Sequence, residues 1–484
     1  MRDHLPLLAI AVPLTAAMIA PLLGRSSVAL ARGLAILASL LTLAAALGAL
    51  AASLAAGPVR YALAGWPPPF GIELVVDPLS GSVASLVAAI ATLVAVWGVP
   101  SPDRPGGGVF WALFLLLVAG LVGIAVTGDL FNLFVFLEIS ALAGYALLGA
   151  HDARSRVAGF RYLLVGTVAG SFYLLGVGYL YALTGTLNMA DMAARLPAHA
   201  GSPLVTLGVA LIVAGLAAKS ALFPLHGWLP DAYAYAPPAV VAFVAAVASK
   251  VSVYALIRIL FDVVGSAGPL STLLGILGWT AAAASVAGAG MAIAQQDFRR
   301  LLAYSSVSQM GYIFLGLAIG NEAAFTGALL HLVSHAVMKA NLFLVAGGVL
   351  WRRGGCRLDD FGGLSRQMPV TTTALAVTAL SMAGLPPTAG FFSKYYLVLG
   401  AIQEGAWWWL GAIVLSTLLG IAYLLGVLER AWFGERASDE VGGELPPRLL
   451  VPIVTLTAAV LAIGLFNQDL VEVVLRHALP ASVR

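Results

Sequence analysis

Fourteen long apolar runs dominate the sequence and constrain its fold class more than any other feature. They fall near residues 4–23, 27–55, 74–99, 107–126, 129–149, 159–184, 203–224, 237–261, 269–294, 301–319, 322–350, 371–399, 405–433 and 449–475. We number these segments 1 to 14. A helix needs about 20 apolar residues to cross the hydrocarbon core of a bilayer. Only 10% of the residues are charged and 61% are hydrophobic, so a soluble core this apolar could not be covered by polar side chains. A water-soluble enzyme is excluded, and so is a disordered chain, which needs low hydrophobicity and high charge. An outer-membrane barrel would show short alternating segments, and these runs are long and continuous. The sequence predicts an all-α polytopic membrane protein with about 14 transmembrane helices and no soluble domain between them. The first apolar stretch is too long for the core of a signal peptide, and we read it as the first helix, retained.

Arginine and lysine are distributed very differently. The loops after odd-numbered segments hold 15 arginines, whereas the termini and the other loops hold 6. By the positive-inside rule this bias places the Arg-rich loops in the cytoplasm and both termini on the outer side of the cell inner membrane. The chain has 21 arginines but four lysines: Lys219, Lys250, Lys339 and Lys394. All four fall inside apolar segments. Arginine keeps its proton at any accessible pH, whereas a buried lysine can release one. A lysine at mid-membrane costs roughly 2.5–3.5 kcal/mol on the insertion scale. Composition bias accounts for arginine in the loops, but not for lysine confined to the apolar runs, which points to function.

Glu138 is the one carboxylate placed centrally in an apolar run, in segment 5, and a buried glutamate needs a partner or a proton. Segment 11 reads GALLHLVSHAVMKANLFLVAG. His331, His335 and Lys339 are spaced by four, which keeps them in one polar stripe on a helix. His-x-x-x-His can hold zinc, but the metalloprotease pattern needs a glutamate after the first histidine, and Leu332 stands there. Three titratable groups in one stripe read as a proton relay. Tyr304, Ser305, Ser306, Ser308 and Gln309 of segment 10 could hold water beside it, or make ordinary interhelix hydrogen bonds. Asp77, Asp129 and Asp231 lie near segment ends, where they could serve ions or simply cap helices and turns.

Segments 7 and 12 carry built-in breaks. Segment 7 includes KSALFPLHGWLPDAYAYAPP and segment 12 includes SMAGLPPTAGFFSKYY. Proline removes a backbone donor and blocks the helix ladder, so the freed carbonyls must face protein or a water-filled space. Each break lies close to a lysine, Lys219 or Lys394. Paired broken helices point to an internal repeat with an ion site near the midplane. The weak symmetry divides the chain into residues 1–106 (segments 1–3), 107–262 (segments 4–8), 263–433 (segments 9–13) and 434–484 (a loop and segment 14).

There is no P-loop, no complete GxGxxG after a strand and no CxxC. The single cysteine, Cys356, cannot form an internal disulfide or ligate an iron–sulfur cluster, and we read it as a free, inert thiol. We expect no cofactor and no metal site. The net charge of +3 and the lack of a long basic run give no case for nucleic acid. The chain has the means to move charge but none to oxidise a substrate, so any enzymatic role would belong to a larger translocase complex.

The stretches TGDLFNLFVFLEISALAGYALL, KSALFPLHGWLPDAYAYAPPAVVAFVAAVASKVSVYALIRIL, QQDFRRLLAYSSVSQMGYIFLG, HLVSHAVMKANLFLVAG and AGLPPTAGFFSKYYL together resemble the antiporter-like subunit family. That family is shared by respiratory complex I, membrane-bound hydrogenases and multisubunit Mrp cation/proton antiporters. GWPPPFGIELVVDPLS and DLFNLFVFLE lean toward the D-type subunit of the Mrp Na+/H+ antiporters. The resemblance implies two inverted five-helix repeats, segments 4–8 and 9–13. It implies a proton path from the Glu138–Lys219 pair through Lys250, then His331, His335 and Lys339, to Lys394. The partners it implies are other membrane subunits, the lipid bilayer, and protons, with sodium as a further candidate cargo. The first expectation is therefore a proton-translocating subunit of an Mrp-type antiporter. The second is an ion-pumping subunit of a redox-driven complex, and the third a membrane scaffold with no ion path. The lysine distribution speaks against the third.

Overall fold

The computed structural model describes residues 2–98, 107–435 and 443–483. Arg104, Arg436 and Arg484, which entered the orientation count, lie outside the described residues. The described chain is almost entirely helical, as its hydropathy requires, because a helix satisfies every backbone polar group within the segment. It begins with α1 (Leu5–Ser26), α2 (Val28–Ala56), α3 (Pro78–Trp97), α4 (Gly107–Val126), α5 (Leu130–Leu148) and α6 (Ala153–Thr184). A short α7 (Met189–Arg195) precedes α8 (Pro203–Lys219), α9 (Leu229–Tyr235) and α10 (Pro238–Ile257). Next come α11 (Leu270–Ile293), α12 (Phe298–Ile319), α13 (Glu322–Arg353) and the single turn α14 (Leu364–Gln367). The chain continues with α15 (Pro369–Ala383), α16 (Ala389–Gln403), α17 (Trp407–Phe433) and α18 (Pro447–Leu465).

Among the described residues, twelve helices are long and apolar enough to cross a membrane. The two remaining segments are those with expected breaks. Segment 7 is α8, an irregular stretch and the short α9; segment 12 is α15 and α16 with a break between them. Pro224 follows Ala221, which is forced to a positive φ of 57°, and the helix ladder does not resume until Leu229.

Short polar side chains start many of the helices by accepting first-turn amides that lack a helical partner. Asp77 caps α3, Asp129 caps α5, Asp152 caps α6 and Asp297 caps α12. Capping thus accounts for Asp77 and Asp129. Asp231, at the start of α9, instead bonds Arg161 at 2.9 Å and Arg300 at 3.4 Å. It ties the starts of α6 and α12 together on one face of the protein, called here the arginine face. The opposite face carries a feature that hydropathy does not announce. In the link after α2, Val59–Ala62 and Glu73–Val76 form an antiparallel hairpin, with Val59 opposite Val76 and Ala62 opposite Glu73.

α10 and α13 are almost wholly buried, and the polar stripe of α13, with His331, His335 and Lys339, is enclosed within the protein. α13 packs against α10, α12, α15, α16 and α18. Small residues let neighbouring backbones close up, the usual device where lipid is as apolar as the side chains. A Cβ on Gly176 of α6 would stand 2.5 Å from the Gly208 carbonyl of α8, and one on Gly288 of α11 would stand 2.5 Å from the Ser308 amide of α12.

Candidate functional site

Lys219 is the last residue of α8, where the negative end of the helix dipole favours a cation. Trp228 Nε1 donates to the Ala218 carbonyl at 3.1 Å, so the broken helix end is closed by a side chain. Lys219 Nζ lies 3.3 Å from Glu138 Oε1 on α5. Glu138 faces Gly170 of α6, where a Cβ would lie 2.5 Å from its Oε1; only glycine leaves room for the carboxylate. The two partners differ in setting. Lys219 keeps 8% of its side chain exposed and Glu138 keeps 28%, so the carboxylate sits at the rim of the pair. A water-sized cavity of about 30 Å³ beside Lys219 is lined by Ser140 of α5 and by Ala248 and Ser252 of α10. It joins the ion pair to the helix that carries Lys250.

The other three lysines have no carboxylate partner among the described residues. Lys250 is buried on α10 and donates to the Ala245 carbonyl at 2.6 Å. Lys339 on α13 donates to the Leu302 carbonyl at 2.7 Å and to Ser305 Oγ at 2.5 Å on α12. Lys394 on α16 reaches back across the break. Its Nζ donates to the Met382 and Ala383 carbonyls at 3.0 and 3.3 Å, at the free C-terminal end of α15. Gly384, at φ 94°, supplies the left-handed residue that ends α15, and a Cβ there would lie 3.2 Å from Lys394 Cδ. At the opposite end of α15, Glu444 accepts from the Val370 and Thr371 amides. This half-helix therefore has an anion at its positive end and an amine at its negative end.

His331 and His335 lie fully buried on one face of α13, with rings stacked at 5.8 Å. His331 Nδ1 is 2.9 Å from Ser393 Oγ, the residue before Lys394. The Tyr312 ring lies 5.4 Å from His331 and 5.0 Å from Lys394 Nζ. The structure thus joins the histidine stripe to Lys394 through Ser393 and Tyr312. Among the described residues, His331 Nε2 and both ring nitrogens of His335 have no hydrogen-bond partner. α10, which carries Lys250, packs directly against α13, which carries His331, His335 and Lys339.

Some expected neighbours are not bonded. The Lys339 head turns to α12 rather than to His335. Of the polar residues on α12, Ser305 meets Lys339, while Ser308 bonds the Ser285 carbonyl of α11 and Ser306 bonds within its own helix. Gln309 is buried with an unpartnered Oε1, and Tyr304 meets His226 edge-on. Gly384 lies in the break expected beside Lys394, whereas Tyr312, Ser393 and Gly170 are neighbours of the candidate site that sequence reasoning misses. Ser393 adjoins Lys394, a usable signal, but nothing in the sequence places Gly170 against Glu138.

Residues 127–420 match the family described as NADH:quinone oxidoreductase/Mrp antiporter, transmembrane. The chain is 52% identical to NADH-quinone oxidoreductase subunit N of Desulforudis audaxviator, over 99% of both chains. It is 33% identical to the D-type subunit of the Na(+)/H(+) antiporter of Alkalihalophilus pseudofirmus, over 86% of this chain and 85% of that one. Among solved structures, a chain of the membrane-bound sulfane sulfur reductase, an archaeal respiratory membrane complex, superposes with a TM-score of 0.90 at 30% identity. The match covers 99% of this chain and 98% of that chain.

Proposed function

Since the chain belongs to the NADH:quinone oxidoreductase/Mrp antiporter transmembrane family, and its relatives are subunits of multisubunit membrane complexes, we propose that it carries protons for a redox-driven membrane complex. The path runs from Glu138 and Lys219 through Lys250, His331, His335 and Lys339 to Lys394. The observation that carries this reading is chemical. One lysine is paired with a carboxylate, and three are bonded to neutral acceptors. A carbonyl accepts from an ammonium and, more weakly, from an amine, so Lys250, Lys339 and Lys394 keep a partner in either protonation state.

Lys219 is the switch. Two unit charges 4 Å apart attract by roughly 4 kcal/mol at an effective dielectric of about 20, and desolvation offsets part of that. Moving one charge through 100 mV is worth about 2.3 kcal/mol, so opening or closing the Glu138 pair acts on the scale of the gradient itself. With Glu138 close, the ammonium is favoured. With Glu138 drawn away, Lys219 hands its proton to water in the small cavity toward α10. From Lys250 the proton passes to the two histidines, whose unpartnered nitrogens can accept and release it, and through His331 toward Lys394. The partly exposed Glu138 at mid-membrane is the point at which a neighbouring subunit can bias the pair.

The architecture supports two related units, residues 107–262 and 263–433. α6 and α13 each have 32 residues, and each unit ends in a broken helix followed by a long one. Asp129 caps α5 and bridges to Asn188, and Asp297 caps α12 and bridges to Arg357, on the opposite face. The arginine distribution supports a cytoplasmic arginine face in the cell inner membrane and termini on the outer side.

The second reading is a subunit of an Mrp-type sodium/proton antiporter, favoured by the likeness to the Na(+)/H(+) antiporter chain and by the GWPPPFG loop. Purification of the native complex through a tag on this chain, with companions identified by mass spectrometry, separates the two. Flavin, iron–sulfur or nickel–iron proteins are expected; small hydrophobic antiporter subunits alone would establish the second. Proton uptake by the same complex in liposomes tests the path. Lys219→Ala should abolish it with assembly intact, and undiminished uptake would sink the proposal.

A further inference from the structure

Tyr312 of α12 is fully buried and meets three neighbouring helices at once. Its ring stands 5.4 Å from the His331 ring of α13, at an interplanar angle of 73°. Lys394 Nζ of α16 lies over the same ring, 5.0 Å from its centre. Its hydroxyl belongs to a third contact: Oη lies 2.9 Å from Ser416 Oγ and 3.1 Å from Thr417 Oγ1, both on α17.

A buried tyrosine needs a partner for its hydroxyl, and α17 supplies two. Packing therefore accounts for the hydroxyl, but not for an amine over the ring. Lys394 is nearly enclosed. The Met382 and Ala383 carbonyls take its Nζ, Gly384 leaves room for its stem, and the Tyr312 ring closes a further side. The carbonyls bond the ammonium and, more weakly, the amine. The ring responds to charge: its electron-rich face attracts a cation, most strongly away from water, and a neutral amine offers it no charge to hold. Phenylalanine would present a similar face, but it would lack the hydroxyl that ties the ring to α17.

We propose that Tyr312 is a positioning residue for the last proton transfer, its ring face receiving the Lys394 ammonium while α17 holds the ring by its hydroxyl. This rests on the proton-path reading. In that transfer an N–H bond of the His331 imidazolium breaks and an N–H bond forms on the Lys394 amine. The ring strengthens its hold on Lys394 as that bond forms, and so draws the proton toward α16. Tyr312 itself gains and loses no proton. Through Ser416 and Thr417, α17 becomes the support of the Lys394 end of the path.

The test uses the intact complex in proteoliposomes, with phenylalanine and then its mono-, di- and trifluorinated forms inserted at position 312. Fluorine withdraws charge from the ring face and leaves the size of the ring nearly constant, so a merely structural ring would not register it. Tyr312→Phe should keep most of the transport rate. The rate should then fall with each added fluorine, by about tenfold at the trifluorinated ring. Tyr312→Leu, which has no ring face, should lose at least as much. Lys394→Ala is the reference for the path and should be inactive. Equal rates across the fluorine series beside an inactive Lys394→Ala would overturn the role of Tyr312 and leave the path standing. Full transport in Lys394→Ala would overturn the last step of the path, and this proposal with it.

Discussion

Lys394 Nζ stands 3.0 Å from the Met382 carbonyl, at the free end of a half-helix that its own segment interrupts. The break and the lysine are therefore one device. Interrupting the helix exposes carbonyls that nothing in lipid could satisfy, and the amine twelve residues later satisfies them. Because the acceptors are neutral dipoles, the interaction weakens but is not lost when the amine gives up its proton. A carboxylate partner would hold the proton more tightly and tie transport to a salt bridge.

Lys394→Arg separates charge from proton release. Arginine keeps the cation at the end of α15 but does not deprotonate. The variant should assemble normally, with proton transport lowered by about two orders of magnitude. Transport assays on purified complex in liposomes check this, and a transporting arginine variant would remove Lys394 from the path.

Gly170→Ala should disturb the ion pair without touching either partner's chemistry. The added methyl would sit 2.5 Å from Glu138 Oε1 and push the carboxylate from Lys219. Gly178→Ala, on the same helix with nothing within 4 Å, is the control, and it gains helix propensity of up to about 1 kcal/mol. Transport should fall in the first and remain in the second; equal rates would show that the carboxylate position is not critical.

Gly208→Leu tests how α8 is held. A Cβ at Gly208 would lie 3.0 Å from the Gly176 carbonyl and 3.1 Å from Leu180 Cδ2, so a larger side chain must part α6 from α8. Overpacking of this kind costs roughly 1–3 kcal/mol. Thermal unfolding in detergent should show a midpoint lowered by several degrees, with transport reduced because α8 positions Lys219.

Cys356 should be unreactive in the folded protein. It is buried in the turn after α13, and burial pushes its thiol pKa well above the ordinary range, so little thiolate is present near neutral pH. A maleimide should label it after denaturation and not before. Native labelling at a comparable rate would contradict its placement.

Several features were legible locally because they are encoded locally. Apolar length marked the membrane helices. Proline and glycine marked both breaks. The spacing of four put His331, His335 and Lys339 on one face, and the rarity of lysine singled out Lys219, Lys250, Lys339 and Lys394. Partner choice was decided by tertiary structure alone. Glu138 meets Lys219 from 81 positions away, His331 meets Ser393 from 62, and Arg258 meets Asp77 from 181. The physical reason is the solvent. In water an amphipathic stripe tells which face of a helix turns inward, but in a bilayer the outside is as apolar as the core, and helices such as α4 and α10 carry no such mark. Which faces meet is then settled by where glycines let backbones approach and where buried polar groups find acceptors, and both depend on residues far apart in the chain.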